Sequence, residues 1–125
     1  MPMRLHSAAI FVSDMDRALV FYRDHLGLPL EKLGSFGAEF LDGETRLGVH
    51  PAVHPEAKAM VGRHTGLTFH TEDLVAVCEG LRARGANVVA EPSRTGFGIM
   101  ALVADPDGNV IALWEDKFPD GGGAS

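Results

Sequence analysis

Two stretches of this chain carry the same order of small, apolar and polar positions. Ser7-Ala8-Ala9-Ile10-Phe11-Val12-Ser13-Asp14-Met15 aligns with Gly66-Leu67-Thr68-Phe69-His70-Thr71-Glu72-Asp73-Leu74, with Asp14 and Asp73 in register. Each reads as a strand that hands over to a helix, because the Asp side chain accepts from backbone N–H groups left open in a first helical turn. Beyond Asp14, Met15, Ala18, Leu19, Tyr22 and Leu26 recur at helical spacing; beyond Asp73, Leu74, Val77, Cys78 and Leu81 do the same. Gly27 and Gly85 then stand where a helix ends in a left-handed residue.

After each helix the pattern returns to strands. The first half continues with a strand near Phe36 to Leu41, the turn Asp42-Gly43-Glu44 and a strand from Thr45 to His50. The second continues with Asn87 to Ala90, Ile99 to Ala104, the turn Asp105-Pro106-Asp107-Gly108, and Val110 to Trp114. In that last turn Pro sets φ at the second position, Asp accepts from the backbone, and Gly closes it. Two βαβββ modules, about 4–50 and 65–116, are the simplest reading, giving an α+β domain over 1–116. Residues 51–64 form the connector, and the glycine-rich end, 117–125, is expected to be a flexible tail.

Composition narrows the class of protein. The 125 residues are 46% apolar, enough for one domain with a core. Net charge is −6, from 11 basic and 17 acidic residues without a basic run, which disfavours nucleic acid. No apolar run approaches the ~20 residues of a membrane span, and no signal segment opens the chain. The single cysteine, Cys78, excludes an internal disulfide and suits a cytoplasmic protein; it shares the apolar stripe of the second helix and reads as a buried, inert thiol.

The paired modules, the opening IFVSDMDRALVFYRDHLGL and the closing DPDGNVIALWE resemble the vicinal oxygen chelate superfamily. That group includes glyoxalase I, extradiol dioxygenases and bleomycin-resistance proteins. The resemblance covers about residues 4 to 116. It implies two modules that curl an eight-stranded mixed sheet around a cleft, commonly in a homodimer. It also implies a divalent metal held by His and Glu side chains at four positions, which here fall on Ser7, Gly48, Gly66 and Ala112, with Leu47 in place of Gly48 if the register slips by one. None of these offers an imidazole or a carboxylate, and a catalytic zinc, nickel or iron site needs at least three such ligands. His6, next to Ser7, points to the opposite side of a strand. The cleft glutamate that moves a proton in glyoxalase-type chemistry is missing with them. The expectation is therefore a metal-free cleft with no cofactor.

Strand parity gives the other residues expected to line the cleft. With Ser7 and Gly66 go Ala9, Phe11, Thr68 and His70; with Gly48 and Ala112 go Arg46, His50, Val110 and Trp114. His50 and His70 read either as ligand-binding or displaced metal-binding imidazoles, or as hydrogen-bonded histidines at strand ends. His50 and His54 are four apart, but Pro51 and Pro55 argue against a helix that would bring them to one face. His54 and His64 read as exposed, and His25 as a partner of its helix dipole. Phe11 and Trp114 suit a wall for a flat ligand, and Phe97, between two glycines, can border it. Phe36, Phe40 and Phe69 read as core. Arg46 is either an anion anchor or a solvated side chain, while Glu39 and Glu115 read as surface residues. No nucleophile elbow, phosphate loop or His-Glu-x-x-His pair is present.

These residues point to a metal-independent small-molecule-binding protein holding an aromatic or cationic compound. A metal-dependent lyase, isomerase or dioxygenase with a rearranged site at His50 and His70 is the alternative. A metal-free isomerase or lyase with His70 as base is a third.

Overall fold

The computed structural model describes residues 3–96 and 98–116. Phe97 and the 117–125 tail lie outside the described residues. The expected α+β architecture is present: eight described strands form two four-stranded mixed sheets, each within one compact unit, Met1–Gly62 and Arg63–Ser125.

In the first unit the order along the chain is β1 (Ala8–Val12), α1 (Met15–Leu19), β2 (Leu30–Gly34), β3 (Gly37–Asp42), β4 (Thr45–Pro51) and α2 (Pro55–Lys58). The sheet order is β1-β4-β3-β2, with β1 parallel to β4 and the remaining pairs antiparallel. Asp14 caps α1 as its sequence position predicts, accepting from Arg17 N at 3.2 Å. The helix then widens into a π-helical stretch, Val20–His25, where Leu26 N bonds back to Phe21 O. Gly27 ends it at φ +73. Ala18, Leu19, Phe21 and Tyr22 are buried, as are the alternate sheet residues Ile10, Val12, Ala38, Phe40, Leu47 and Val49.

The second unit runs β5 (His64–His70), α3 (Leu74–Ala83), β6 (Asn87–Arg94), β7 (Ile99–Ala104) and β8 (Val110–Glu115), in sheet order β5-β8-β7-β6. Asp73 caps α3 by accepting from Ala76 N at 3.3 Å. Leu74, Cys78 and Leu81 are fully buried on one stripe of α3, which packs against β6, β7 and β8. Ile99, Ala101, Val103, Ile111 and Leu113 supply the sheet side of that core.

The Asp-Pro-Asp-Gly turn is tied more tightly than a simple turn requires. Asp105, 4% exposed, accepts from Asp107 N and Asn109 N with one carboxylate oxygen and from Asn109 Nδ2 with the other, all at 2.9 Å. Asn109 is 1% exposed, so this carboxylate satisfies polar groups that burial has removed from water.

Four features depart from the sequence reading. β2, a strand that the βαβββ order implies but the pattern does not locate, is an edge strand whose residues, Leu-Glu-Lys-Leu-Gly, are mostly exposed and lack the alternation of a half-buried strand. The connector contains the short helix α2, started by Pro55 in the first turn, where its missing N–H costs nothing. β6 runs on past Ala90 to Arg94 through Pro92, which an edge strand with register shifts tolerates. Phe36 is not core: it stands in the β2–β3 turn, 45% exposed, because a two-residue hairpin tip has no interior to enter.

Candidate functional site

The registers decide which side chains share a face. β4 places Gly48 beside Ala9 and Glu39, His50 beside Phe11, and Arg46 beside Leu41. Neighbours across a ladder point the same way, so Ala9, Phe11, Glu39, Leu41, Arg46, Gly48 and His50 share the face opposite the buried one. The register thus puts Phe11, Arg46, Gly48 and His50 on one face of the first sheet, together with Glu39.

His50 organises this face. Its Nδ1 lies 2.8 Å from Phe36 O, and its ring lies over Gly48, so that a Cβ on residue 48 would meet Nε2. The Phe11 ring centroid is 6.1 Å from that of His50 and the Phe36 centroid is 6.5 Å, both tilted. Phe36 reaches the face because its ring folds back over Gly34, where a Cβ would come within 2.9 Å of it. Two glycines thus lie beneath two rings. Gly37 has a stricter reason: its φ of +120 suits glycine, and a Cβ there would run into Val49 O.

Arg46 and Glu39 form an ion pair on the same face, both partly buried. Beyond Arg46 a hollow of about 710 Å³ opens, bordered by Arg4, His6, Leu41 and Glu44. It carries charges of both signs.

On the second sheet, β8 sets Ala112 beside Thr68 and Leu102, and Trp114 beside His70 and Met100. Asp116, the next residue on that face by parity, receives the Trp114 Nε1 hydrogen bond, and its second oxygen lies 3.2 Å from His70 Nε2. Parity carried one step past Trp114 would have found it. Glu115 points the other way and accepts from Leu74 N at 3.0 Å, so it supports α3 rather than being a loose surface residue.

The four positions implied for a metal have distinct environments. Ser7 precedes β1, is exposed, and lies 3.3 Å from His6 Nδ1. Gly48 lies under the His50 ring. Gly66 has φ +77 at a register shift between His64 and Thr68, a backbone reason for glycine. Ala112 is buried, with no donor atom on its side chain. Among the described residues no three His, Cys, Asp or Glu side chains converge to hold an ion. The donor set at these positions does not fit the metal that the family resemblance implies. Phe97, the remaining expected border of the site, lies outside the described residues.

Comparison with known proteins agrees with this architecture and divides on chemistry. The chain is 30% identical to the lactoylglutathione lyase of Haemophilus influenzae, over 96% of this chain and 98% of the relative. It is 30% identical to TnmS3, an antibiotic-binding protein from Streptomyces sp. CB03234, with a TM-score of 0.73 over 93% of this chain and 98% of that structure. A superfamily member from Sphaerobacter thermophilus shares the fold at a TM-score of 0.77 and 24% identity, over 91% of this chain and 98% of that one. The sequence profile of the Glyoxalase/Bleomycin resistance protein/Dioxygenase superfamily matches residues 4–113, nearly the whole described chain, and the protein belongs to that superfamily.

Proposed function

We propose that this chain is a metal-independent small-molecule-binding protein whose ligand is an aromatic or cationic compound. The observation that carries this reading is the cover over Gly48. Where the resemblance implies a metal-binding carboxylate, β4 has a glycine whose side-chain space is taken by the His50 ring, with Phe11 and Phe36 beside it. Rings in this arrangement offer apolar area and π faces to a flat molecule, with a few polar atoms to orient it. The similarity to an antibiotic-binding protein supports the same class of function.

The reading includes residues Ser7, Phe11, Arg46, Gly48, His50, Gly66, His70, Phe97, Ala112 and Trp114 as the ligand-contacting set, a homodimeric assembly, and a cytoplasmic location. Among the described residues no helix is long and apolar enough to cross a membrane.

Two measurements on purified protein test it. Metal analysis should find no stoichiometric divalent ion, and thermal-shift screening with planar aromatic and cationic compounds should raise the melting temperature, since a ligand of the folded state adds to its stability. One tightly held ion per chain, lost in His50→Ala or His70→Ala and accompanied by lactoylglutathione lyase activity, would overturn the reading. So would a screen in which no compound stabilises the protein. Sedimentation equilibrium tests the homodimer.

A further inference from the structure

We propose that the first sheet selects neutral aromatic ligands carrying a hydrogen-bond donor on the ring, a phenolic hydroxyl in particular, and that His50 Nε2 accepts that hydrogen. The proposal rests on the binding function above and narrows its ligand class.

The first step is the tautomer. Phe36 O is a backbone carbonyl and can only accept, so the 2.8 Å contact requires a proton on His50 Nδ1. In the neutral imidazole the other nitrogen then carries a lone pair and no hydrogen. Among the described residues no protein group pairs with Nε2, and it is not among the buried unpartnered atoms. The ring is thus a fixed acceptor flanked by Phe11 and Phe36, at centroid distances of 6.1 and 6.5 Å. His70 differs, because Asp116 already occupies its Nε2.

The second step concerns charge. Arg46 is the strongest candidate anchor for an anionic ligand on this face, and Glu39 for a cationic one, but each holds the other. Lys32, opposite Glu39 on the edge strand, is exposed to water. Among the described residues the charges on this face are thus the Arg46–Glu39 pair and the solvated Lys32, and the polar atom among the rings themselves is the His50 acceptor. A phenol fits both demands, since it is un-ionised at neutral pH, its pKa lying near that of tyrosine at about 10.

Binding of 2-naphthol and 2-methoxynaphthalene, measured by ligand fluorescence, tests this. The two differ in the donor hydrogen, and the ether is the more apolar, so apolar burial alone favours the ether. The expected result is that 2-naphthol binds about fivefold to tenfold more tightly to the native protein, the size of one neutral hydrogen bond. In His50→Phe, which keeps a ring over Gly48 without the acceptor, the preference should disappear. Histidine ¹⁵N NMR should place the His50 proton on Nδ1, and this readout needs no variant to fold. Equal binding of the two probes, a preference that survives in a folded His50→Phe, or a proton on Nε2 would each overturn the inference while leaving the binding function standing. Failure of both probes to bind would overturn the inference and count against the binding function itself.

Discussion

The His50 imidazole occupies the space that a side chain on Gly48 would need, two positions earlier on the same strand. This contact relates a position where the family resemblance implies a metal ligand to an aromatic cluster, and it yields a prediction that separates function from stability. In Gly48→Ala the new methyl meets the far end of a side chain that can rotate away, so stability should fall by only about 1 kcal/mol. The His50 bond to Phe36 O should break, and 2-naphthol affinity should fall severalfold. Gly37→Ala provides the contrast. There the new Cβ meets the Val49 carbonyl at a φ of +120, and the loss should be on the order of 3 kcal/mol in urea unfolding. Equal losses in the two variants would show that the Gly48 contact is not the soft one described.

Trp114 is the single tryptophan, so its emission reports on the second sheet directly. Asp116→Ala should shift the emission, because the indole loses its hydrogen-bond acceptor. The Asp116 side chain is 70% exposed, so its pair with His70 contributes within about 1 kcal/mol and the melting temperature should barely move. Asp116→Asn keeps an acceptor for the indole and should retain most of the native spectrum.

Asp105 in the closing turn is the polar residue whose loss should be most costly. It satisfies two backbone N–H groups and the Asn109 amide in a buried setting. Asp105→Ala leaves those donors without a partner, and chemical denaturation should show a loss of about 3 kcal/mol. Pro106→Ala, at an exposed position, should cost less than about 1 kcal/mol.

Burial, aided by the Glu91 carboxylate, pushes the Cys78 thiol above its ordinary pKa, against a smaller opposing effect of Arg82. At 1% exposure the thiol should react with iodoacetamide in the folded protein far more slowly than in urea. The sign of the pH dependence follows from the same shift. The folded state disfavours the thiolate, so this contribution to stability is complete below the unfolded thiol pKa of about 8.5 and is lost as pH rises toward the folded value. Cys78→Ala should remove that alkaline component, measured as the difference between the two unfolding curves above pH 8.5.

Much of the fold was legible because its signals are local. Asp14 and Asp73 cap helices through N–H groups three residues away, a relation written in the order of the chain. The same holds for the closing turn, whose Asp, Pro and Gly each have a conformational reason within four residues. β2 is implied by the module order but not located in the sequence, because an exposed edge strand is stabilised by its partner's backbone and leaves no alternation in its side chains. Parity brought Phe11, Arg46, Gly48 and His50 to one face without coordinates. Glu39 was within reach too, since counting outward from the two-residue turn after Asp42 sets it opposite Gly48.

By itself the sequence determined the repeated strand-helix order, the capped helices, the closing turn, and the lack of metal-binding side chains at Ser7, Gly48, Gly66 and Ala112. Each of these depends on residue identity or on bonds between near neighbours. The tertiary structure decided where the rings lie: His50 over Gly48, Phe36 folded back from a hairpin tip, and Asp116 between His70 and Trp114. Those placements depend on rotamers chosen against strands distant in sequence, and a pattern of period two assigns a face but not the direction a side chain takes across it.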